Sequence, residues 1–422
     1  MPTISQTESW KTYTTKISSA LEITAYILCF TTMIVALFDN NLSMKLYTGI
    51  TILSVLALSM RGKPTLYSLR YWILPLSILA LGSVDVIWYS TFKMDDSPFR
   101  GTYHSYLNAA KIFIFGAFIT FMALTTKIRL KKEFPLYILY SLSFIIAGIA
   151  YHIKSTAGII RLDFGIGTAT GAAYSIIIIG ILSGVSILYT QRNHPILFLL
   201  NALAILYTLV LTQTRSALLI FPVLCALVLF ARYMKSPKKL FFSIIGFFVL
   251  LAFMISIFSK PIYDRYHQGV NDLTNYSAGK SNNSLGARLA MYESGAKIFA
   301  KAPFSARSAE ERYELMNSLA QKRPYLNSTL QYANIHLHNE FIEAASLKGI
   351  AGILSTLFFY AALFFTVYYH RSLGLFAITL AVIGTGLSDV ILWSRSIPIV
   401  LMTAMVILIF IKRKKVIEDQ PQ

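Results

Sequence analysis

Three short stretches of this 422-residue chain put residue types that could hold an anion or move a proton beside points where helices should begin. The first is Thr212-Gln213-Thr214-Arg215-Ser216, a turn between apolar runs over 196–212 and 216–233. The turn is so short that Arg215 must stay beside both helix ends, and the free N–H groups and positive dipole end of the second helix point at the same spot as the guanidinium. Such a spot attracts anions. The plainer reading is an arginine that snorkels and sets the depth of its helix. The second is Arg288, in the first turn of a helix expected over Ser284–Lys301, where the same reasoning competes with a solvated surface arginine. The third is His336-Leu337-His338-Asn339-Glu340. A histidine at a helix start feels the positive dipole end, which favours neutral imidazole and leaves a nitrogen able to accept a proton. That makes His338 a candidate general base for an incoming hydroxyl. A metal held by His336, His338 and Glu340 is disfavoured, because alternate spacing on a helix sends the two rings to different sides. A purely structural histidine is the remaining reading.

The elements that must position these residues are membrane helices. Hydrophobic residues make up 55% of the chain, charged residues only 14%, and the mean hydropathy is +0.59; a soluble domain carries about 25% charged residues. The apolar residues gather in runs that suit a helix crossing ~30 Å of hydrocarbon, and no alternating pattern of strand length is present. Twelve runs are found, near 17–38, 46–60, 72–91, 109–126, 135–153, 169–190, 196–212, 216–233, 240–258, 349–369, 373–391 and 396–411. The polar segment before Ile17 lacks the features of a signal peptide, so the first run is expected to remain as an anchor. Alternate connections are basic: Arg61, Lys63 and Arg70; Lys127, Arg129, Lys131 and Lys132; Arg232, Lys235, Lys238 and Lys239; and Lys412 to Lys415. Positive residues in short loops stay in the cytoplasm, so both termini are expected there and the long loop over 259–347 outside, which in a bacterium is the periplasm. The net charge of +19 is thus mainly a topology signal, and no soluble basic patch supports binding to nucleic acid.

The expected organisation is an all-α polytopic membrane protein: nine helices over 1–258, an outer loop with short helices over 259–347, and three helices with a basic tail over 348–422. Within the loop, Leu285, Leu289, Tyr292, Ala296 and Phe299 recur at helical spacing and predict an apolar stripe, with Asn283 or Ser284 as the cap. Lys297, Lys301, Arg307 and Arg312 are expected to make the loop surface attractive to anionic headgroups or phosphorylated glycans. Cys29 and Cys225 lie in separate apolar runs and are read as packing residues without a disulfide. Asp95-Asp96, followed by Ser-Pro, reads as a surface turn. Asp85 lies inside an apolar run, where an ionisable group needs a partner that the sequence does not name.

The stretch His338-Asn339, nine residues, Gly349, two residues, Gly352 resembles the pattern H-[NSQ]-x9-G-x2-[GTY] of the O-antigen ligases of lipopolysaccharide synthesis. Arg215 to Leu219 resembles their R-x3-L motif, and the likeness to the enterobacterial members extends through SPFRGTYHSYLNAAKIF, FGIGTATGAAYS, TQTRSALL, SLGARLAMYE, NIHLHNE and GLSDVILWSRSIP. The resemblance implies a GT-C-like fold of about twelve transmembrane helices. It implies transfer of a finished O-antigen glycan from undecaprenyl pyrophosphate to a terminal sugar of lipid A-core at the periplasmic face, by an inverting transfer without metal, nucleotide or other cofactor. By position, His338 would be the base or would orient the acceptor, and Arg215 and Arg288 would hold the pyrophosphate. Asp389 and Asn339 would support them. The rival readings are an O-antigen polymerase, which would lengthen a lipid-linked glycan, and a non-enzymatic flippase or exporter, which would need more intramembrane charge than this chain has.

Overall fold

The structure is a computed structural model that describes residues 4–61, 68–126, 128, 133–158, 161–189, 194–257, 259–393 and 395–418. Helices dominate, because long apolar runs in hydrocarbon must satisfy every backbone N–H and C=O internally. In chain order they are α1 Ile4–Val35, α2 Asn40–Met60, α3 Ile73–Phe92, α4 Arg100–Thr125, α5 Glu133–Ala157, α6 Ala169–Tyr189, α7 Pro195–Thr212, α8 Arg215–Tyr233 and α9 Pro237–Ile257. They continue as α10 Ser259–Ser277, α11 Ser284–Lys301, α12 Ala309–Lys322, α13 Glu340–His370, α14 Leu373–Gly386 and α15 Ser396–Glu418. Among the described residues nine helices are long and apolar enough to cross a membrane, and α14 and Ser396–Ile411 of α15 are shorter apolar helices. Lys63, Lys127, Arg129, Lys131 and Lys132 of the expected basic loops lie outside the described residues.

One of the most apolar elements, α6, is buried on all sides, as expected of a helix hydrophobic all round. It packs against α5, α7, α8, α14 and α15, and α3 and α4 pair with each other. Outward-facing Phe241, Phe242, Phe248 and Val249 on α9 are the apolar surface that lipid requires. At the end of the bundle formed by the C-terminus of α2, buried Glu22 receives Arg61 at 2.6 Å, and Thr126 donates to the same carboxylate. Arg61 therefore ties α1, α2 and α4 together, besides contributing to the charge of its loop. Cys29 and Cys225 are buried and free.

Helices α10 to α12 and the 3-10 segment Pro324–Tyr332 form a subdomain whose core, shared with α3 and α4, includes Trp88, Tyr103, Met291, Met316, Leu337 and Leu347. It is fastened to the α3–α4 corner: Trp88 donates to the Arg307 carbonyl at 2.8 Å, Thr102 donates to the Asn334 carbonyl at 2.9 Å, and Ser97 and Tyr103 both donate to Glu310. This explains why α4 starts at Arg100, well before the apolar run at 109.

Two expectations about the loop need correction. The helix α11 has the expected limits and is capped by Asn283, which accepts from Gly286 N at 2.7 Å, but its buried stripe is Ala287, Ala290, Met291, Ser294, Gly295 and Ile298. Small side chains on that face let the helix approach its neighbours closely. The predicted stripe is only half-buried, with Ala296 exposed. The second correction concerns Arg307 and Arg312, which do not decorate the surface. Both are buried, with Arg312 paired to Glu343 at 2.8 Å and Arg307 donating to the Ala302 carbonyl at 3.0 Å. A guanidinium goes inside only where carboxylate and carbonyl oxygens replace its water.

The helix α13 is broken at Gly349, whose φ of 59° and ψ of −147° are open essentially to glycine alone. The break frees backbone groups that are stitched to the outer loop: Ile350 N donates to the Pro303 carbonyl and Arg307 N to the Leu347 carbonyl, both at 2.8 Å. A Cβ at Gly349 would lie 2.7 Å from the Pro303 oxygen, and one at Gly352 2.7 Å from the Ala344 oxygen. Both glycines of the H-N-x9-G-x2-G pattern are thus there for backbone geometry.

Candidate active site

His336, Leu337 and His338 precede α13 in a non-helical segment, and His338 takes a φ of 50°. The two rings therefore converge, with centroids 4.4 Å apart, and do not diverge as helical spacing would require. Both face Asp389, which lies beyond the end of α14: His338 Nδ1 is 3.0 Å and His336 Nε2 3.5 Å from Asp389 Oδ1. Burial raises the Asp389 carboxyl, but the hydrogen bond from His338 and the neighbouring imidazoles outweigh it and bring the pKa down to about 2. The Asp389 carboxylate also accepts from Val390 N at 2.9 Å. The ionised carboxylate accepts a hydrogen bond from Nδ1–H of His338, which leaves Nε2 of His338 as the ring's proton acceptor. Burial, partly opposed by Asp389, pushes His336 down to about 4, so it stands neutral beside its partner. Its Nδ1 accepts from His338 N at 3.3 Å, which turns its own Nε2–H toward Asp389.

Asn339, named as a supporting residue, acts on the backbone. Its Oδ1 caps α13 by accepting from Phe341 N and Ile342 N, each at 3.0 Å, and its Nδ2 donates to the Leu387 carbonyl at 2.9 Å. It therefore joins the histidine segment to the one that carries Asp389.

Arg215 opens α8, where Thr214 supplies no side-chain cap. Its guanidinium donates to Gln268 Oε1 at 2.9 Å and lies 3.7 Å from Asp272 Oδ2, both on α10. The same Asp272 oxygen accepts from Leu285 N at 3.3 Å, at the start of α11. The Asp272 carboxylate thus sits between an arginine and a helix N-terminus, where an anion is stabilised. Leu219, the last residue of R-x3-L, is 73% exposed and faces outward from α8.

Arg288, half-buried one turn into α11, forms no ion pair among the described residues. Its charge bears on Tyr174 and Tyr292, and so does that of Asp389. Tyr292 donates to the His338 carbonyl at 2.7 Å, and Tyr174 contacts Ser216 at 2.8 Å and Ser388 at 3.4 Å. These two tyrosines lie near both Arg288 and Asp389, and Tyr174 also reaches Ser216, the residue after Arg215.

Sequence reading did not find several residues that hold this region. Glu343, fully buried, accepts from Tyr106 OH at 2.8 Å, from Leu337 N at 2.9 Å and from Arg312. Glu340, also buried, accepts from Ile391 N at 2.9 Å and Leu392 N at 3.1 Å. Two acids in the first turn of a membrane-bound helix were the available signal, since such groups need partners. Asp85 gains its partner here: Lys348 Nζ lies 2.6 Å away and over the Tyr106 ring at 4.7 Å. Asp95 lies on the surface, 3.8 Å from Lys93. The ligand atoms of His336, His338 and Asp389 lie within 4.8 Å of one another, so these three could in principle hold a metal ion. The trio with Glu340, disfavoured from the sequence, is not the one brought together: Glu340 Oε2 accepts instead from Ile391 N and Leu392 N.

The O-antigen ligase family profile matches residues 200–357, a span that runs from α7 through Arg215, Arg288 and His338 into α13. The chain is 55% identical over 406 residues to the O-antigen ligase of Escherichia coli (strain K12), covering 96% of this chain and 97% of that protein. An uncharacterised protein of Haemophilus influenzae is 25% identical over 150 residues, 35% of this chain and 37% of its own length. A likeness of this depth along almost the whole sequence, on an all-helical membrane scaffold, places the chain in the O-antigen ligase family.

Proposed function

We propose that the protein joins a finished O-antigen glycan, carried on undecaprenyl pyrophosphate, to a terminal sugar of lipid A-core at the periplasmic face of the bacterial inner membrane. The observation that carries this reading is the His338–Asp389 hydrogen bond at 3.0 Å, which leaves Nε2 of His338 as a proton acceptor. In the step itself, Nε2 takes the proton of an acceptor hydroxyl and that oxygen attacks the anomeric carbon of the glycan from the side opposite the pyrophosphate. The bond from carbon to pyrophosphate breaks, the anomeric configuration inverts, and undecaprenyl pyrophosphate leaves with its charge held by Arg215 and Arg288. Asp272 holds the place of the pyrophosphate while the donor is absent, and the stronger anion displaces it. The transfer calls for no nucleotide, cofactor or metal ion.

The same reading includes a GT-C-like arrangement of twelve crossings, with both termini in the cytoplasm. It divides the chain at 1–258, 259–347 and 348–422, with the middle segment in the periplasm. An alkaline phosphatase fusion near Lys280 should then be active, and one near Lys238 inactive. The chemical test uses purified protein, undecaprenyl pyrophosphate-linked glycan and lipid A-core in detergent with a metal chelator. Capped lipid A-core is the expected product. Lengthened lipid-linked glycan alone would identify a polymerase, and no covalent product would point to a transporter.

A further inference from the structure

The histidine–aspartate pair is assembled from two segments far apart in sequence, 336–338 and 389–392, neither of which is helical. Nothing in a loop's own propensity fixes two such segments to the tolerance that proton transfer requires, which is about 0.5 Å. The first turn of α13 supplies the missing constraint twice. Glu343 accepts from Leu337 N at 2.9 Å, between the two histidines, and Glu340 accepts from Ile391 N and Leu392 N at 2.9 and 3.1 Å, directly after Asp389. Both acids are anchored from behind. Glu343 is fixed by Arg312 at 2.8 Å and Tyr106 at 2.8 Å, while the Asn339 cap holds the helix end that carries both. Residues three apart on a helix lie on neighbouring positions of one face, so one rigid turn presents a carboxylate to each segment.

We infer that Glu340 and Glu343 are positioning residues that hold the two halves of the His338–Asp389 pair at hydrogen-bonding distance, Glu340 acting through Asp389 and Glu343 through the histidine segment. The inference rests on the reading of that pair as the proton-handling site. Both acids of α13 accept from backbone N–H groups of the site, whereas Asp85 pairs with Lys348. Neither glutamate touches substrate, so their loss should lower turnover and leave donor affinity, which the arginines set, as it was.

The test measures kcat and KM for the lipid-linked donor in Glu340→Ala and in the gentler Glu340→Gln, each made in the parent and in Asp389→Asn. In the parent, Glu340→Ala should lower kcat roughly 10- to 100-fold with donor KM within about 2-fold, and Glu340→Gln, which keeps an acceptor oxygen, should recover most of that loss. In Asp389→Asn, where there is nothing left to position, neither change should cost more than about 2-fold. If Glu340→Ala does not fold, a kcat loss for Glu340→Gln that vanishes in Asp389→Asn supports the same conclusion. Equal losses in both backgrounds, a change confined to KM, or parent-like kcat for both glutamate variants would overturn the positioning role while leaving the pair intact. An Asp389→Asn enzyme with parent activity would instead overturn the reading of the pair, and the positioning role with it.

Discussion

The two halves of the site are built to different standards. The histidine–aspartate half is tightly held: Asp389 is 4% exposed, its contact to His338 is 3.0 Å, and both segments donate backbone N–H groups to buried carboxylates. The arginine half is open. The Arg215 side chain is 29% exposed and meets Asp272 at 3.7 Å, and Arg288 is half-buried with no ion pair among the described residues. A proton has to be taken at one nitrogen in one direction, so that half gains from being rigid before substrate arrives. On the proposed reading a pyrophosphate on a long lipid has to enter and leave the arginine half, which then needs contacts that exchange for it. The difference predicts that damage to the first half appears in kcat and damage to the second appears in donor KM as well.

The largest effect should come from His338→Ala, with kcat down by about 10²- to 10⁴-fold and donor KM within about 2-fold, measured as capped lipid A-core per unit time. A comparable rise in KM would erase the division between the halves. Next, Arg215→Ala and Arg288→Ala should each cost about 10²- to 10³-fold in kcat/KM with KM raised, and lysine should restore little because it loses the bidentate fork. A smaller change of opposite sign is expected from Asp272→Asn. Without the resident charge, donor KM should fall by about 3-fold at unchanged kcat. A higher KM would mean that Asp272 serves to orient Arg215.

The smallest effect concerns stability. Burial lowers His336 from 6.5 to about 4, so the folded chain binds that proton less readily than the unfolded chain does. Its contribution is complete above about pH 6.5 and is lost as the pH falls toward 4, and Asp389, near 2, adds to the loss only below its unfolded value of 3.8. Between pH 6.5 and 4 the unfolding temperature of the parent in detergent should therefore fall relative to that of His336→Asn.

The helices were legible in the chain because hydrocarbon imposes length and composition directly, and the limits of α11 followed from its cap and spacing. Arg215 and His338 were legible because a turn or a helix start leaves a polar residue unexplained. The partnership of His338 with Asp389 across 51 residues was not, since it depends on a left-handed residue and a non-helical segment that no periodicity reports. Arg312 and Arg307 were misread for a related reason. Composition makes an arginine look like surface, and only the fold reveals the Glu343 carboxylate and the carbonyls that take it inside.

The break in α13 also gives the H-N-x9-G spacing a mechanical meaning. Nine residues between Asn339 and Gly349 make a strut of about 14 Å at 1.5 Å per residue, pinned at its foot to the Pro303 carbonyl and at its head to the Leu387 carbonyl. A strut fixed at both ends has no tolerance for an added residue, which would turn its head by about 100° and swing the histidine segment away from Asp389. The interval therefore works as a gauge, fixing both the height and the bearing of the histidine segment relative to Asp389.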